Sequence, residues 1–559
     1  MDARGLRRCA EAGASRLWRR VGWAGAALAV VLALALVLRL QSVTSGLPYA
    51  FISPDEATVV PKAVEVAGGQ LNPMFFYYPS LFFYVLAAVY WLVSPFWALV
   101  HGELLVRHGA LAADAGALYL IGRLVVVGFG VTAVWLVYRL GRDAYGAAAG
   151  VLAAAFLAVA PLHVEYSHLA VTDVPAVTLG VLGLLLLHGA AQGRGLRRLT
   201  AGAVAVGLAA STKYNLGLLV LPATVAALYA GRPAVAAAVA AGRPALRAWT
   251  RLFALRLYLP MALAFVLASP FIVLDLPRFI DEFSRQHAIV QRGWLGFEHV
   301  DNGYWYNLSV NLAGALGPVL LGLAVAGLAW ALWRRAPLDL MLAPTVLVYF
   351  VYVSSWRELA DRYMLPIVPL LLLLAARLCV ALWEVRPAWR KALVPGAAAL
   401  AALALALPLA DSVAHIRALG EPDVRERAKA WVERTIEPGT RIATETSGPP
   451  LVARIDLPSY RAEGLRPAYY RLRRLELPVP GEPHTRHSMR WLRDRRVEYV
   501  ILSSAVYGRV LAAPDEYPRL VAFYAALDRR GDLVRVFTPR PGERGPVIKV
   551  YRLDGWSRT

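Results

Sequence analysis

The sequence predicts an α-helical polytopic membrane protein with a C-terminal soluble α/β domain, and three observations carry that prediction. Of the 559 residues, 58% are hydrophobic and mean hydropathy is +0.50, too apolar for a soluble globular chain. Apolar runs long enough to cross a bilayer recur up to position 410, separated by short loops rich in arginine. From about 421 the composition turns mixed polar, with 27 Lys plus Arg against 19 Asp plus Glu over 411–559. The chain divides accordingly into a membrane part, 1–410, and a soluble part, 411–559.

The formal charge of +21 does not call for nucleic acid, because most of the excess sits in short loops between apolar runs, where orientation signals belong. No nucleic-acid-binding motif accompanies it. The two cysteines, Cys9 and Cys379, lie in the basic N-terminus and inside an apolar run. They supply neither a disulfide framework nor a thiolate metal site, so chemistry falls to oxygen and nitrogen groups.

The N-terminus, basic and then apolar, has the order of a signal peptide. Its apolar run is long and no clean small-residue cleavage site follows, so it reads as a retained first span with a cytoplasmic N-terminus. Placing basic loops inside gives one topology. The first span, near 22–40, runs outward. The run at 119–138 ends in Arg139 and Arg142 and must run inward, so it starts outside. The apolar stretch 81–100 between them is then expected to lie along the surface or re-enter rather than cross. Further crossings are expected at 147–162, 174–191, 199–211, 214–230, 257–274, 313–333, 338–354, 364–382 and 392–410, about eleven in all. An odd count leaves the soluble domain outside. Two external loops are long, 41–118 and about 275–312, and such lengths are usually functional. In the soluble part "EPDVRERAKAWVERTIEPGTRIATET" and "HSMRWLRDRRVEYVILSS" each read as helix then strand, and "VRVFTPRPGERGPVIKVYRL" reads as a closing pair of strands.

Under this topology the ionisable residues near the membrane edge share the external face: Asp55 and Glu56 in "SPDEATVVPKA", His168 and Asp173 in "SHLAVTD", Lys213 in "STKYN", and Arg362 with Tyr363 in "SSWRELADRYMLP". A conduction path would place charges at several depths, whereas a site at one face needs one entrance. Asp55 reads either as a general base, its proton affinity lifted by partial desolvation, or as a helix N-cap. Asp173, two residues before Pro175, has the same two readings. Lys213 either snorkels to the headgroups or binds an anion. Arg357 and Arg362 stand against the positive-inside bias, which suits phosphate binding or contact with lipid headgroups.

In their order, these motifs resemble the GT-C superfamily of polyprenyl-phosphate-sugar-dependent glycosyltransferases. Within it the chain is similar to the protein O-mannosyltransferase-like group, which includes the lipid A aminoarabinose transferases, over roughly 1–410, and its C-terminal pattern also resembles the external domain of bacterial members. The resemblance implies a bacterial plasma-membrane enzyme that moves a sugar from a polyprenyl-phosphate donor to a hydroxyl of an extracytoplasmic protein, lipid or glycan. It puts the family's catalytic carboxylates on Asp55 and Glu56, with Asp173 as a second positioning group, and its phosphate contacts on Lys213, Arg362 and Tyr363. His168 stands where the family has an arginine, a departure from the pattern; it is expected to contact the donor phosphate too, less firmly than arginine would. The resemblance also implies membrane-surface helices in the first external loop, in keeping with 81–100. A divalent metal is compatible with the carboxylates, but the group does not generally require one, so no cofactor is expected. A transporter or lipid flippase is the alternative; it would show repeated halves with charges at mid-membrane, and no internal repeat is seen.

Overall fold

The computed structural model describes residues 3–48, 53, 55–102, 104–106, 115–384, 387–451 and 470–553, without the side chains of 3–21, 115 and 387–394. Pro54, ahead of the carboxylate pair, part of the first long loop at 107–114 and the Cys9 side chain lie outside these.

The membrane part is a helical bundle whose chain order fixes its two ends. The first helix, α1 (Ala3–Leu40), is broken at Gly22 and stops beside the candidate site. α2 (Glu56–Ala67) and α3 (Leu81–His101) follow. α4 (Ala115–Tyr145) runs away from the site end and α5 (Ala147–Val159) returns. Gly141 and Gly150 let these two approach: a Cβ at Gly150 would stand 2.6 Å from the Tyr138 carbonyl, a helix contact only a small residue permits. The short α6 (Pro161–Tyr166) leads to α7 (Asp173–Ala191), buried nearly all round. α8 (Leu196–Ala210) comes back to Lys213, and α9 (Val220–Ala240) runs away again.

Among the described residues nine helices are long and apolar enough to cross a membrane, or ten if the bent pair Gly303–Leu316 and Pro318–Arg334 counts as one span. The sequence reading expected about eleven. The nine include α3, which was not expected to cross, and leave out the 17-residue helix Pro318–Arg334 and the shorter α5 and α8, with 13 and 15 residues. Both pack among neighbouring helices, so protein rather than lipid covers much of their length. The bent pair turns through 114° at Gly317, whose φ of +76 precedes Pro318; glycine supplies the left-handed turn and proline starts the next helix. The expected crossing at 313–333 is therefore one helix, Pro318–Arg334, preceded by a segment at the site end.

α3 passes the length test for a span, yet its contacts stay at one end of the bundle. The Leu81 backbone N–H donates to Ser211, just past the end of α8. Tyr90 donates to the Leu118 carbonyl in the first turn of α4, and Trp91 to Ala67 at the end of α2. A threading helix would bring Tyr90 and its successors toward Arg139 instead. α3 thus lies along the site end, as expected for 81–100.

The helix Pro387–Gly420 runs through the expected boundary at 410, and an α/β unit follows. Its sheet comprises β1 (Arg441–Thr444), β2 (Arg471–Arg474), β3 (Tyr499–Ser503), β4 (Asp532–Phe537) and β5 (Ile548–Arg552) in the order β2-β1-β3-β5-β4. β1 pairs parallel with β2 and β3, and β5 antiparallel with β3 and β4. The two helix-strand repeats and the closing strand pair read from the sequence are all present. Along β3, Val500 and Leu502 face helix Pro518–Arg530 while Ile501 faces helix Val424–Thr435, so helices cover both faces. The unit docks on the bundle through Arg544, which donates to the Ser45 hydroxyl, and Tyr517, which donates to Glu298.

Candidate active site

Five segments meet at the site end: the start of α2, the loop after it, the start of α7, and two breaks that each carry a cation followed by a tyrosine. Lys213 precedes the 3₁₀ turn Tyr214–Leu219, and Arg362 lies in the 3₁₀ turn Asp361–Ile367. Such turns interrupt the helical ladder at functional positions.

Asp55 sits at the N-cap position of α2 but makes no side-chain cap bond. Its Oδ2 accepts from Arg362 Nη1 at 2.6 Å, and its Oδ1 accepts from the Tyr78 hydroxyl at 3.0 Å. Asp173 is likewise no cap: it lies in the first turn of α7 and pairs with Lys213 in a buried salt bridge. The two pairs share Tyr363, whose ring lies 5.3 Å from Lys213 Nζ and 5.5 Å from the Arg362 guanidinium carbon. Asp55, Asp173, Lys213, Arg362 and Tyr363 are thus brought into one cluster, and the capping readings of both aspartates fall away.

Two expected members are not in it. Glu56 is fully buried and held by both oxygens to Arg123, at 2.7 Å each, and it also accepts from the Ala170 backbone N–H. Arg123 in turn donates to the carbonyls of Val43 and Ser45. Glu56 ties α2, α4 and the loop before α7 together, so the structure commits its carboxylate to a buried ion pair outside the cluster. His168 is buried with Nδ1 at 2.8 Å from the Val164 carbonyl and Nε2 at 2.9 Å from that of Gln41. With both ring nitrogens engaged by backbone, and burial pushing the imidazole down to about 4, it is a poor phosphate ligand, which corrects that expectation.

Some participants were missed in the sequence. Tyr78, from the aromatic run "FFYYPS", supports Asp55; burial and the Asp55 carboxylate hold its phenol well above the usual range, so it remains a donor. Glu358 lies 3.7 Å from Arg362 Nη2, and the spacing of four in "RELADR" was the available signal. Burial raises its carboxyl while Arg362 opposes the rise, and its Oε2 is buried without a hydrogen-bond partner. Asn215 donates to the Tyr349 hydroxyl, while its Oδ1 and the Trp356 Nε1 are buried without partners.

The cluster opens into a cavity of about 310 Å³, mostly apolar, lined by Tyr78, Lys213, Asn215, Phe283, Trp356 and Tyr363 among others. On the far side of Trp356 lies a polar cleft of about 610 Å³ between loop 292–304, loop 354–359 and the α/β unit at Pro480 and Glu516. Arg357 lines that cleft rather than the cavity. Among the described residues no three His, Cys, Asp or Glu side chains converge in a way that could hold a metal ion.

Chemically, the cavity offers Lys213 and several phenols at an apolar mouth, with Asp55 and Arg362 joined to its wall through Tyr78 and Tyr363. Residues 115–273, from the start of α4 into the short helix Phe271–Leu274, match the family model described as dolichyl-phosphate-mannose-protein mannosyltransferase. No curated protein matches the sequence. Among solved structures, ArnT from Cupriavidus metallidurans is similar both in its complex with undecaprenyl phosphate and in the apo state. Identity is 15% in each case, 95% of this chain and 98% of that one are covered, and the TM-scores are 0.51 and 0.53. The Archaeoglobus fulgidus oligosaccharyltransferase tethered to an acceptor peptide is similar at 12% identity and a TM-score of 0.53, covering 97% of this chain and 75% of that one. Over nearly its whole length the chain thus shares the fold of ArnT and of the archaeal oligosaccharyltransferase, and the segment at its centre matches the mannosyltransferase family model.

Proposed function

We propose that the enzyme transfers a sugar from a polyprenyl-phosphate carrier to a hydroxyl acceptor at the extracytoplasmic face of a bacterial plasma membrane, with the N-terminus cytoplasmic and the region 411–559 external. The observation that carries this reading is the joining of Asp55–Arg362 and Asp173–Lys213 around Tyr363 at the mouth of an apolar cavity. An apolar mouth suits a prenyl chain, and two cations suit the phosphate at its end. The similar ArnT was crystallised bound to undecaprenyl phosphate, which supports the same class of donor here.

In the reaction the acceptor oxygen attacks the anomeric carbon, the bond from that carbon to the phosphate oxygen breaks, and the electron pair leaves on polyprenyl phosphate. Asp55 takes the acceptor proton. Lys213 and Arg362 stabilise the charge gathering on the leaving phosphate. Before the donor arrives both cations are paired with carboxylates. A phosphate entering between them replaces those carboxylates as partner, frees Asp55 for the acceptor, and leaves Asp173 to orient it. Asn215 and Trp356 line the cavity, and each carries a buried polar atom without a hydrogen-bond partner that a turn of the side chain would offer to a sugar hydroxyl. The polar cleft beyond Trp356 is the approach for the acceptor.

The test is donor use by membranes containing the full chain. Polyprenyl-phosphate sugars should yield free polyprenyl phosphate in step with glycosylated acceptor, and nucleotide sugars should yield none. Transfer from a nucleotide sugar in the absence of prenyl carrier would overturn the reading.

A further inference from the structure

At the end of the bundle opposite the site, α9 and the helix Ala245–Leu252 form a hairpin. Trp249 and Leu252 close on Gly231, where a Cβ would stand 2.7 Å from the Trp249 ring. The hairpin frames a groove of about 240 Å³ with an apolar floor of Ala234, Val235, Leu252 and Leu255 and a rim of Arg243, Arg247, Arg251 and Arg256. Arg247 and Arg251 are spaced by four on one face of the helix Ala245–Leu252, and Arg243 lies in the loop just before it. The fourth is spaced by five and joins them because residues Phe253–Tyr258 form a π-helical turn; in a continuous α-helix Leu255 would stand in its place. π-turns are rare and collect at functional positions. None of the four guanidiniums has an ion pair or hydrogen bond among the described residues, although elsewhere in the chain arginines such as Arg123, Arg194, Arg278 and Arg425 are paired with carboxylates. The positive-inside tendency accounts for basic residues in this loop, but not for their convergence, through a register shift, on one apolar-floored groove.

From this convergence of four unpartnered arginines over an apolar floor we propose a binding site for one anionic phospholipid of the surrounding leaflet. Its phosphodiester would lie among Arg247, Arg251 and Arg256, with Arg243 at the loop side, and the upper part of an acyl chain would lie on Ala234, Val235 and Leu255. Guanidinium groups bind phosphate through paired donors, and basic pockets between membrane helices bind anionic headgroups. The groove lies beside Leu196, the first residue of α8, whose other end leads to Lys213. It is therefore about one helix length of 22 Å from the donor cavity and independent of the reaction proposed there.

The experiment is native mass spectrometry of the purified full chain in detergent, titrated with phosphatidylglycerol and, separately, phosphatidylcholine. The wild type should retain one phosphatidylglycerol at concentrations where phosphatidylcholine is lost. The triple variant Arg247→Gln, Arg251→Gln, Arg256→Gln should need roughly tenfold or more phosphatidylglycerol for the same occupancy. A matched variant at the same end of the bundle but outside the groove, Arg194→Gln, Arg197→Gln, Arg198→Gln, should bind like wild type. Thermal unfolding without lipid should be alike for all three proteins, and Arg251→Lys is the milder substitute if the triple variant unfolds early. Equal retention of phosphatidylcholine, equal loss in the two triple variants, or displacement of the lipid by inorganic phosphate at millimolar concentration would each overturn the proposal.

Discussion

Asp55→Asn removes the proton acceptor while keeping side-chain volume and a hydrogen-bond acceptor for Tyr78. General-base catalysis contributes about 10²–10⁴ in rate, which is roughly 2.7–5.5 kcal/mol in barrier. The structural cost is smaller. The Asp55 and Arg362 side chains are 20% and 22% exposed, and Arg362 keeps Glu358 at 3.7 Å. Replacing one partner of such a half-screened pair costs about 1–3 kcal/mol, against a total stability near 5–15 kcal/mol. The variant should therefore accumulate normally in membranes and lose at least a hundredfold in transfer, read as polyprenyl phosphate released per enzyme. If Asp55 served only to neutralise Arg362, adding Arg362→Gln would restore activity. The expected double variant is no better than Asp55→Asn alone. Transfer within about threefold of wild type, or rescue by the second substitution, would refute the base assignment.

Four further outcomes follow from the same geometry. Lys213→Gln should raise KM for the donor by roughly 30-fold or more, the worth of one charge-assisted contact near 2–3 kcal/mol, measured in the same assay. Glu56→Gln should act on folding rather than chemistry, because it leaves fully buried Arg123 without its carboxylate; breaking such a pair costs about 3–5 kcal/mol, seen as low yield of folded protein with near-normal turnover in what remains. Leu71→Cys and Leu104→Cys, both exposed beside the ends of α3, should react with an impermeant thiol reagent from the same side of sealed vesicles, whereas a crossing α3 would put them on opposite sides. In the α/β unit, burial raises the Glu445 carboxyl to about 7, opposed by bonds from the Tyr524 hydroxyl and Ser503 N–H. A raised carboxyl stabilises most below its unfolded value and loses that contribution as pH climbs to the folded one. Unfolding of the full chain followed between pH 4.5 and 7 should show a decline of up to about 3 kcal/mol, absent in Glu445→Gln.

The legible parts of this protein were those governed by period and composition. Apolar runs gave the bundle, arginines at span ends required α3 to stay on one face, and helix-strand alternation gave the α/β unit. At the site, the cations were legible because a lysine in an apolar hairpin and an arginine in an external loop have few inexpensive explanations. Glu56 and His168 fall outside the cluster for one physical reason: each is a polar residue next to the site in sequence whose side chain is turned inward to close a buried structural bond, and the partner is remote in the chain. Arg123, alone near the start of an apolar run, was the signal that a buried carboxylate was needed nearby, and Glu56 was that carboxylate. Short helices such as α5 run between the two ends of the bundle yet fall below the length criterion, because that criterion assumes lipid on all sides.

The arrangement of charges also limits how the site can work. Among the described residues Asp55, Asp173 and Glu358 face two cations, Lys213 and Arg362, so a phosphate cannot simply be added to an unneutralised positive patch. It must exchange with carboxylates already in place. Such an exchange changes little in net attraction, which keeps donor affinity modest, but it shifts where the negative charge sits. The carboxylate released from Arg362 is Asp55. Donor binding would then free Asp55 at the moment an acceptor hydroxyl needs a base, and an empty site would leave it paired. The Asp55 to Arg362 contact of 2.6 Å is in this sense a resting state, and a variant that lengthens it without removing either charge, Asp55→Glu, should separate the two effects: donor binding retained, transfer lost.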